Sequence, residues 1–122
     1  MTTDSNFYRF ASATANIDNP GVEDIEPKSL WEAKDKVTII DVRRPDEFSG
    51  ELGHIPGAKM VVLDTLPDCV DDLPADQTIV FVCRSGGRSG RAAAWAREEG
   101  MKNVYNMRGG MLLWNELGLP RE

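Results

Sequence analysis

Two short runs constrain this chain more than any other feature: VTIIDV at residues 37–42 and TIVFVC at residues 78–83. Both are β-branched and nearly unbroken in apolar character, without the polar alternation of a strand that has one face in water. Strands of that kind need cover on both sides, which points to a mainly parallel sheet with helices packed on its two faces. The neighbouring stretches supply that cover. PKSLWEAKD (27–35) reads as a short helix, with Pro27 at its start and Leu30, Trp31 and Lys34 at helical spacing. PDEFSGEL (45–52) reads as another, and LPDCVDDL (66–73) as one helical turn or two. SGRAAAWAREEG (89–100) is the clearest helix, alanine-rich and closed by Gly100. GVEDIE (21–26) and NVYNM (103–107) read as first and last strands, GHIPGA (53–58) as a loop leading into the apolar run KMVVL, and GGMLLWNELG (109–118) as a final helix.

No linker, repeat or low-complexity tract divides the chain, and 122 residues suffice for one domain with its own core. Residues 1–21 are polar and end in the turn signal DNPG; they form either a loose arm or a segment packed on the domain through Phe7, Tyr8 and Phe10. No apolar run reaches the roughly 20 residues that cross a bilayer, and the N-terminus lacks the basic start and apolar middle of a secretory signal. Two cysteines at unrelated spacing read as reduced thiols in a cytoplasmic protein, and with one histidine there is no metal-binding pattern.

The net charge of −6 argues against nucleic acid or an anionic membrane as partner. That makes one local cluster informative: VFVCRSGGRSGR (80–91) gathers Arg84, Arg88 and Arg91 around Cys83. Cys83 ends a central parallel strand, the edge at which open α/β sheets bind their ligands. Gly86 and Gly87 let the backbone curl so that successive N–H groups face one concavity, and the following helix aims its positive end at the same point. A thiol held there is expected to act as a thiolate nucleophile, in a cradle that also takes an anion. A tyrosine phosphatase would need its arginine six positions after the cysteine; here Arg88 comes at the fifth and Ser89 at the sixth, so the loop encloses a smaller space.

CRSGGRS (83–89) resembles the active-site loop of the rhodanese (thiosulfate sulfurtransferase) family. DVRRPDEFSGELGHIPGA (41–58) is similar to that family's D-x-R-x-x-x-E-[FY]…G-H-I-x-G-A segment, and MRGGMLLWNELGLP (107–120) to its closing G-G…W…G-[LY]-P segment. The three motifs stand in the family's order, in a match that covers about residues 22–120 and leaves 1–21 as the arm. The resemblance implies a three-layer α/β fold around a mostly parallel five-stranded sheet. It also implies sulfur transfer: Cys83 takes the outer sulfur of a small anionic donor such as thiosulfate and passes it from a persulfide to cyanide, a thiol or a thioredoxin-like protein, without a metal or organic cofactor. Arg84, Ser85, Gly86, Gly87, Arg88 and Ser89 would hold the donor and the persulfide. The alternatives are a sulfur-carrier or redox-sensing module serving a protein partner, and a phosphatase or arsenate reductase on the same fold.

Other residues invite a bland reading. Asp41 ends its strand at the same sheet edge as Cys83 and either orients the loop or a nearby arginine, or satisfies loop N–H groups. Arg43 either reaches an anionic substrate or pairs with Glu47 four residues on. The resemblance implies that His54 belongs to the loop architecture, and a thiolate made by a dipole and arginines needs no base. Cys69 lies in an acidic stretch whose carboxylates blunt its reactivity, and the three tryptophans fall on apolar helix faces that pack into the core or rim a pocket.

Overall fold

In a computed structural model, which describes residues 7–122, the chain folds around one six-stranded sheet. The strands are β1 (Thr14–Ala15), β2 (Glu23–Ile25), β3 (Thr38–Asp41), β4 (Lys59–Met60), β5 (Ile79–Val82) and β6 (Val104–Met107), in the order β1-β2-β6-β5-β3-β4. Every pairing is parallel except β1 with β2. The sequence led to an expectation of five strands. The sixth is β1, a two-residue antiparallel strand of Thr14 and Ala15, both exposed and too few to carry an apolar pattern.

The helices α1 (Pro27–Ala33), α2 (Pro45–Phe48), α3 (Leu66–Cys69), α4 (Gly87–Glu98) and α5 (Gly110–Glu116) fill the connections. Side chains alternate across each strand, and the two apolar runs therefore feed two cores. Ile39, Val80, Val82, Tyr105 and Met107 point to one face, where Leu30 of α1 and Met111 and Trp114 of α5 cover them. Ile40, Ile79, Phe81, Cys83 and Val104 point to the other, against Ala92, Ala93 and Ala96 of α4 and Leu66 of α3. The alanines let α4 lie close to the sheet, which brings its N-terminus over the end of β5.

Residues 1–6 of the arm lie outside the described residues. Within the rest, Phe10 is buried in the first core, edge-on to Tyr105 at 5.0 Å, and Tyr8 stacks edge-on against Phe10 at 4.8 Å. The Tyr8 carbonyl accepts the Thr78 hydroxyl at 2.8 Å. No helix among the described residues is long and apolar enough to cross a membrane.

Candidate active site

Cys83 follows the last residue of β5, between β3 and β6, and is 1% exposed. The chain must reverse there from a central strand into α4, and it does so through Gly86, whose φ of +103° belongs to the left-handed region that favours glycine. The reversal folds the backbone over the thiol. The Gly86 N–H donates to Cys83 Sγ at 3.1 Å, and the Ser89 hydroxyl, in the first turn of α4, lies 3.3 Å from the same sulfur. Ser85 and Gly87 are exposed on the loop, and Arg84 is exposed at its rim.

The loop is fixed from below by α5. Its Met111 N–H donates to the Cys83 carbonyl at 2.9 Å and its Leu112 N–H to the Arg84 carbonyl at 3.0 Å. Gly110 makes this approach possible: a Cβ on it would stand 2.4 Å from the Arg84 carbonyl oxygen. Gly110 of GGMLLWNELG thus serves the cysteine loop, while Gly109, at φ +77°, turns the chain into α5.

The two inner arginines are both committed to carboxylates. Arg88 sends its fork to Glu47, with contacts of 2.7 and 2.8 Å. Those bonds, the largest effect on either group, pull the Glu47 carboxyl down to about 2 and push Arg88 up. The charge of Arg88 also faces Cys83 and Asp41. Arg43 is 1% exposed and pairs with Asp41, not with Glu47: its Nη2 donates to Asp41 Oδ2 at 2.7 Å and its Nε to Oδ1 at 2.9 Å. Its other bonds go to the Glu47 and Gly53 carbonyls. Asp41 and Arg43 are therefore a buried tie between β3 and the loop before β4. The expected Arg43–Glu47 pair fails because Glu47 turns toward Arg88 while its own carbonyl is what Arg43 holds.

His54 is also architectural. Its ring stacks on Phe48 at 3.9 Å, its Nδ1 bonds the Phe48 carbonyl, and its backbone exchanges two hydrogen bonds with Glu122. Cys69 is a free, half-buried thiol on α3. Trp114 is fully buried, donating to the Pro120 carbonyl at 2.8 Å, with Trp31 edge-on at 6.1 Å.

Sequence reasoning passed over a row of polar side chains beside the thiol. The Ser89 hydroxyl bonds Asn106 Oδ1 on β6; Asn106 Nδ2 donates to Asp24 on β2 at 2.9 Å, and Asp24 also accepts from Asn16 at 2.8 Å. The available signal was Asn106 itself, an amide inside a strand of buried residues and on the same face as Cys83.

Residues 26–117 match the model of the rhodanese-like domain. The chain belongs to the rhodanese-like domain family. It is 34% identical over 102 residues to a sulfurtransferase of Allochromatium vinosum, covering 81% of this chain and 94% of that one. Against the thiosulfate sulfurtransferase GlpE of Pseudoalteromonas translucida the identity is 35% over 81 residues, covering 66% and 75% of the two chains. The crystal structure of a rhodanese-related protein from Thermoplasma volcanium matches with a TM-score of 0.73 at 28% identity, over 80% of this chain and 94% of that one. These likenesses support rhodanese-type sulfur transfer by this rhodanese-like domain.

Proposed function

We propose that this protein moves sulfane sulfur from a small anionic donor, thiosulfate or a related persulfide, to a thiophilic acceptor by way of a persulfide on Cys83. The observation that carries the reading is the Gly86 N–H donated to one buried sulfur at the start of α4, with the Ser89 hydroxyl, whose single proton is shared with Asn106 Oδ1, beside it. Donors aimed at a sulfur stabilise negative charge on it, and the helix end adds to them.

In the first half-reaction the Cys83 thiolate attacks the outer sulfur of thiosulfate. The S–S bond of the donor breaks, sulfite leaves with the electron pair, and Cys83 carries the terminal sulfur as a persulfide anion. In the second, cyanide or a thiolate attacks that terminal sulfur, and the Cys83 thiolate leaves. Atoms and charge balance in both steps, and alternation of the two gives ping-pong kinetics. Gly86, Gly87 and Ser89 line the cradle for the transferred sulfur, while exposed Arg84 and Ser85 meet the donor at the rim. Arg88 is fixed beside the cradle by Glu47, which neutralises its charge there. That bond also weighs against phosphoryl transfer, because the fork that would clamp phosphoryl oxygens is already occupied.

The test is intact-mass analysis after exposure to thiosulfate, paired with thiocyanate production from cyanide. The reading expects a gain of one sulfur that disappears, with turnover, in Cys83→Ser. Unchanged turnover in that variant would end it.

A further inference from the structure

A cavity of about 710 Å³ borders the cysteine loop through Ser85, Gly86 and Gly87, and the arm forms another of its walls through Asn16 to Asn19. That wall is built rather than loose. Asn16 Oδ1 accepts the N–H groups of Asp18 and Asn19 at 3.0 and 2.8 Å, while its Nδ2 is anchored on Asp24. Through Asn106 and Ser89 the same side-chain row reaches Cys83 Sγ. Gly90 gives the arm room on α4: a Cβ there would stand 2.9 Å from Asn19 Nδ2.

The cavity carries both signs of charge. Arg108, on its wall, is held by Glu26 at 2.6 Å. Arg91 and Asp18 also line it; both are exposed, and neither side chain has an ion-pair partner among the described residues. Ile17, 96% exposed, adds an apolar contact at the lip. Asp18 and Asp24 make this a poor place for a dianion such as thiosulfate, and a good one for a molecule with an anionic and a cationic end. The volume lies within the roughly 300–1,000 Å³ of small-molecule sites. One wall residue, Gly86, has its N–H 3.1 Å from the sulfur.

Resting on the sulfur-transfer reading of Cys83, we propose that this cavity is the acceptor subsite and takes a small zwitterionic thiol, an amino acid or short peptide with a free ammonium and a free carboxylate. Arg91 holds the carboxylate and Asp18 the ammonium. The acceptor thiol, its proton given to solvent, attacks the terminal sulfur of the Cys83 persulfide. The S–S bond breaks, Cys83 leaves as thiolate, and the acceptor departs as a persulfide.

The experiment follows sulfur transfer from the persulfide form to cysteine, cysteamine, 3-mercaptopropionate and cyanide. Arg91→Ala should raise KM about fivefold for the two carboxylate-bearing thiols relative to cysteamine and cyanide, and Asp18→Asn should do so for the two ammonium-bearing thiols. Equal shifts for all four acceptors, or none, would overturn the assignment. A parallel calorimetric titration with S-methylcysteine needs no persulfide: binding that weakens in both variants supports the subsite, and absent or unaltered binding overturns it. Failure of thiosulfate to load Cys83 would instead strike the sulfur-transfer reading.

Discussion

Gly110→Ala probes how the fold holds the cysteine loop. The substitution places a Cβ 2.4 Å from both the carbonyl carbon and oxygen of Arg84 and 2.6 Å from the Cys83 oxygen, all of them backbone atoms. Restoring ordinary contact distances requires the loop and the start of α5 to separate by about 1 Å. At that separation the Met111–Cys83 and Leu112–Arg84 hydrogen bonds, now 2.9 and 3.0 Å, are lost. Two such bonds contribute about 1 kcal/mol each. The residue also sits at φ +60°, where a side chain costs about 1 kcal/mol more. The expected loss is about 3 kcal/mol, or roughly 10 °C in Tm for a chain of this size. Gly118→Ala is the control, because its φ of +70° is similar but a Cβ there meets nothing within 4 Å; it should cost about 1 kcal/mol. Thermal and urea unfolding give the stabilities, and loading of Cys83 by thiosulfate below the transition gives the activity. A 1 Å displacement of the cradle should slow loading by up to about 10²-fold in Gly110→Ala, while Gly118→Ala loads normally. If the two variants lose the same stability, the close approach of α5 is not what fixes the loop.

Ser89→Ala removes a donor to the sulfur and leaves Asn106 Oδ1 without its partner. Iodoacetamide alkylation of Cys83 should slow about fivefold at fixed pH, the worth of about 1 kcal/mol from a hydroxyl shared between two acceptors, and an unchanged rate would remove Ser89 from the cradle. Glu47 is held at about 2 in the fold against 4.5 for the free group, chiefly by the Arg88 hydrogen bonds. A depressed folded value means that the ion pair stabilises fully above pH 4.5 and less as pH falls toward 2. The stability gap between wild type and Glu47→Gln, followed by urea unfolding, should therefore narrow across that window; a gap independent of pH would refute the linkage. Arg43→Met strands Asp41, which is 0% exposed, without its counter-charge. It should cost about 3–5 kcal/mol in urea unfolding, and the Asp41→Asn, Arg43→Met double variant should recover part of that.

What the sequence revealed follows from how each feature is encoded. The strands around residues 37–42 and 78–83 are legible because a strand buried on both faces must be apolar at every position, a local property. The cysteine loop is legible because its turn, its glycines and the helix after it are contiguous. The ion pairs are not. Local spacing assigns Arg43 to Glu47, four residues on, whereas Glu47 is held by Arg88, 41 residues away. Strand β1 escaped for a related reason: it has two exposed residues, so no apolar periodicity marks it, and it forms by pairing with β2. Asn106 was half legible. Strand parity places it on the face of Cys83 once the register of β5 and β6 is known, but the register is a tertiary fact.

The route of Arg88 bears on what the cradle can hold. Were its guanidinium unpaired, the loop would offer a full positive charge and a bidentate fork to an incoming dianion. Bound to Glu47, it presents the sulfur with a neutralised pair, and what faces Cys83 Sγ most directly is the Gly86 N–H, the Ser89 hydroxyl and the end of a 12-residue helix. A helix end carries about half an elementary charge. Such a site matches one diffuse negative charge on a sulfur better than two concentrated on phosphoryl oxygens. On the proposed reading the persulfide anion is therefore the species that the cradle fits, and the second charge of thiosulfate must be met at the rim, by Arg84, and lost with the departing sulfite.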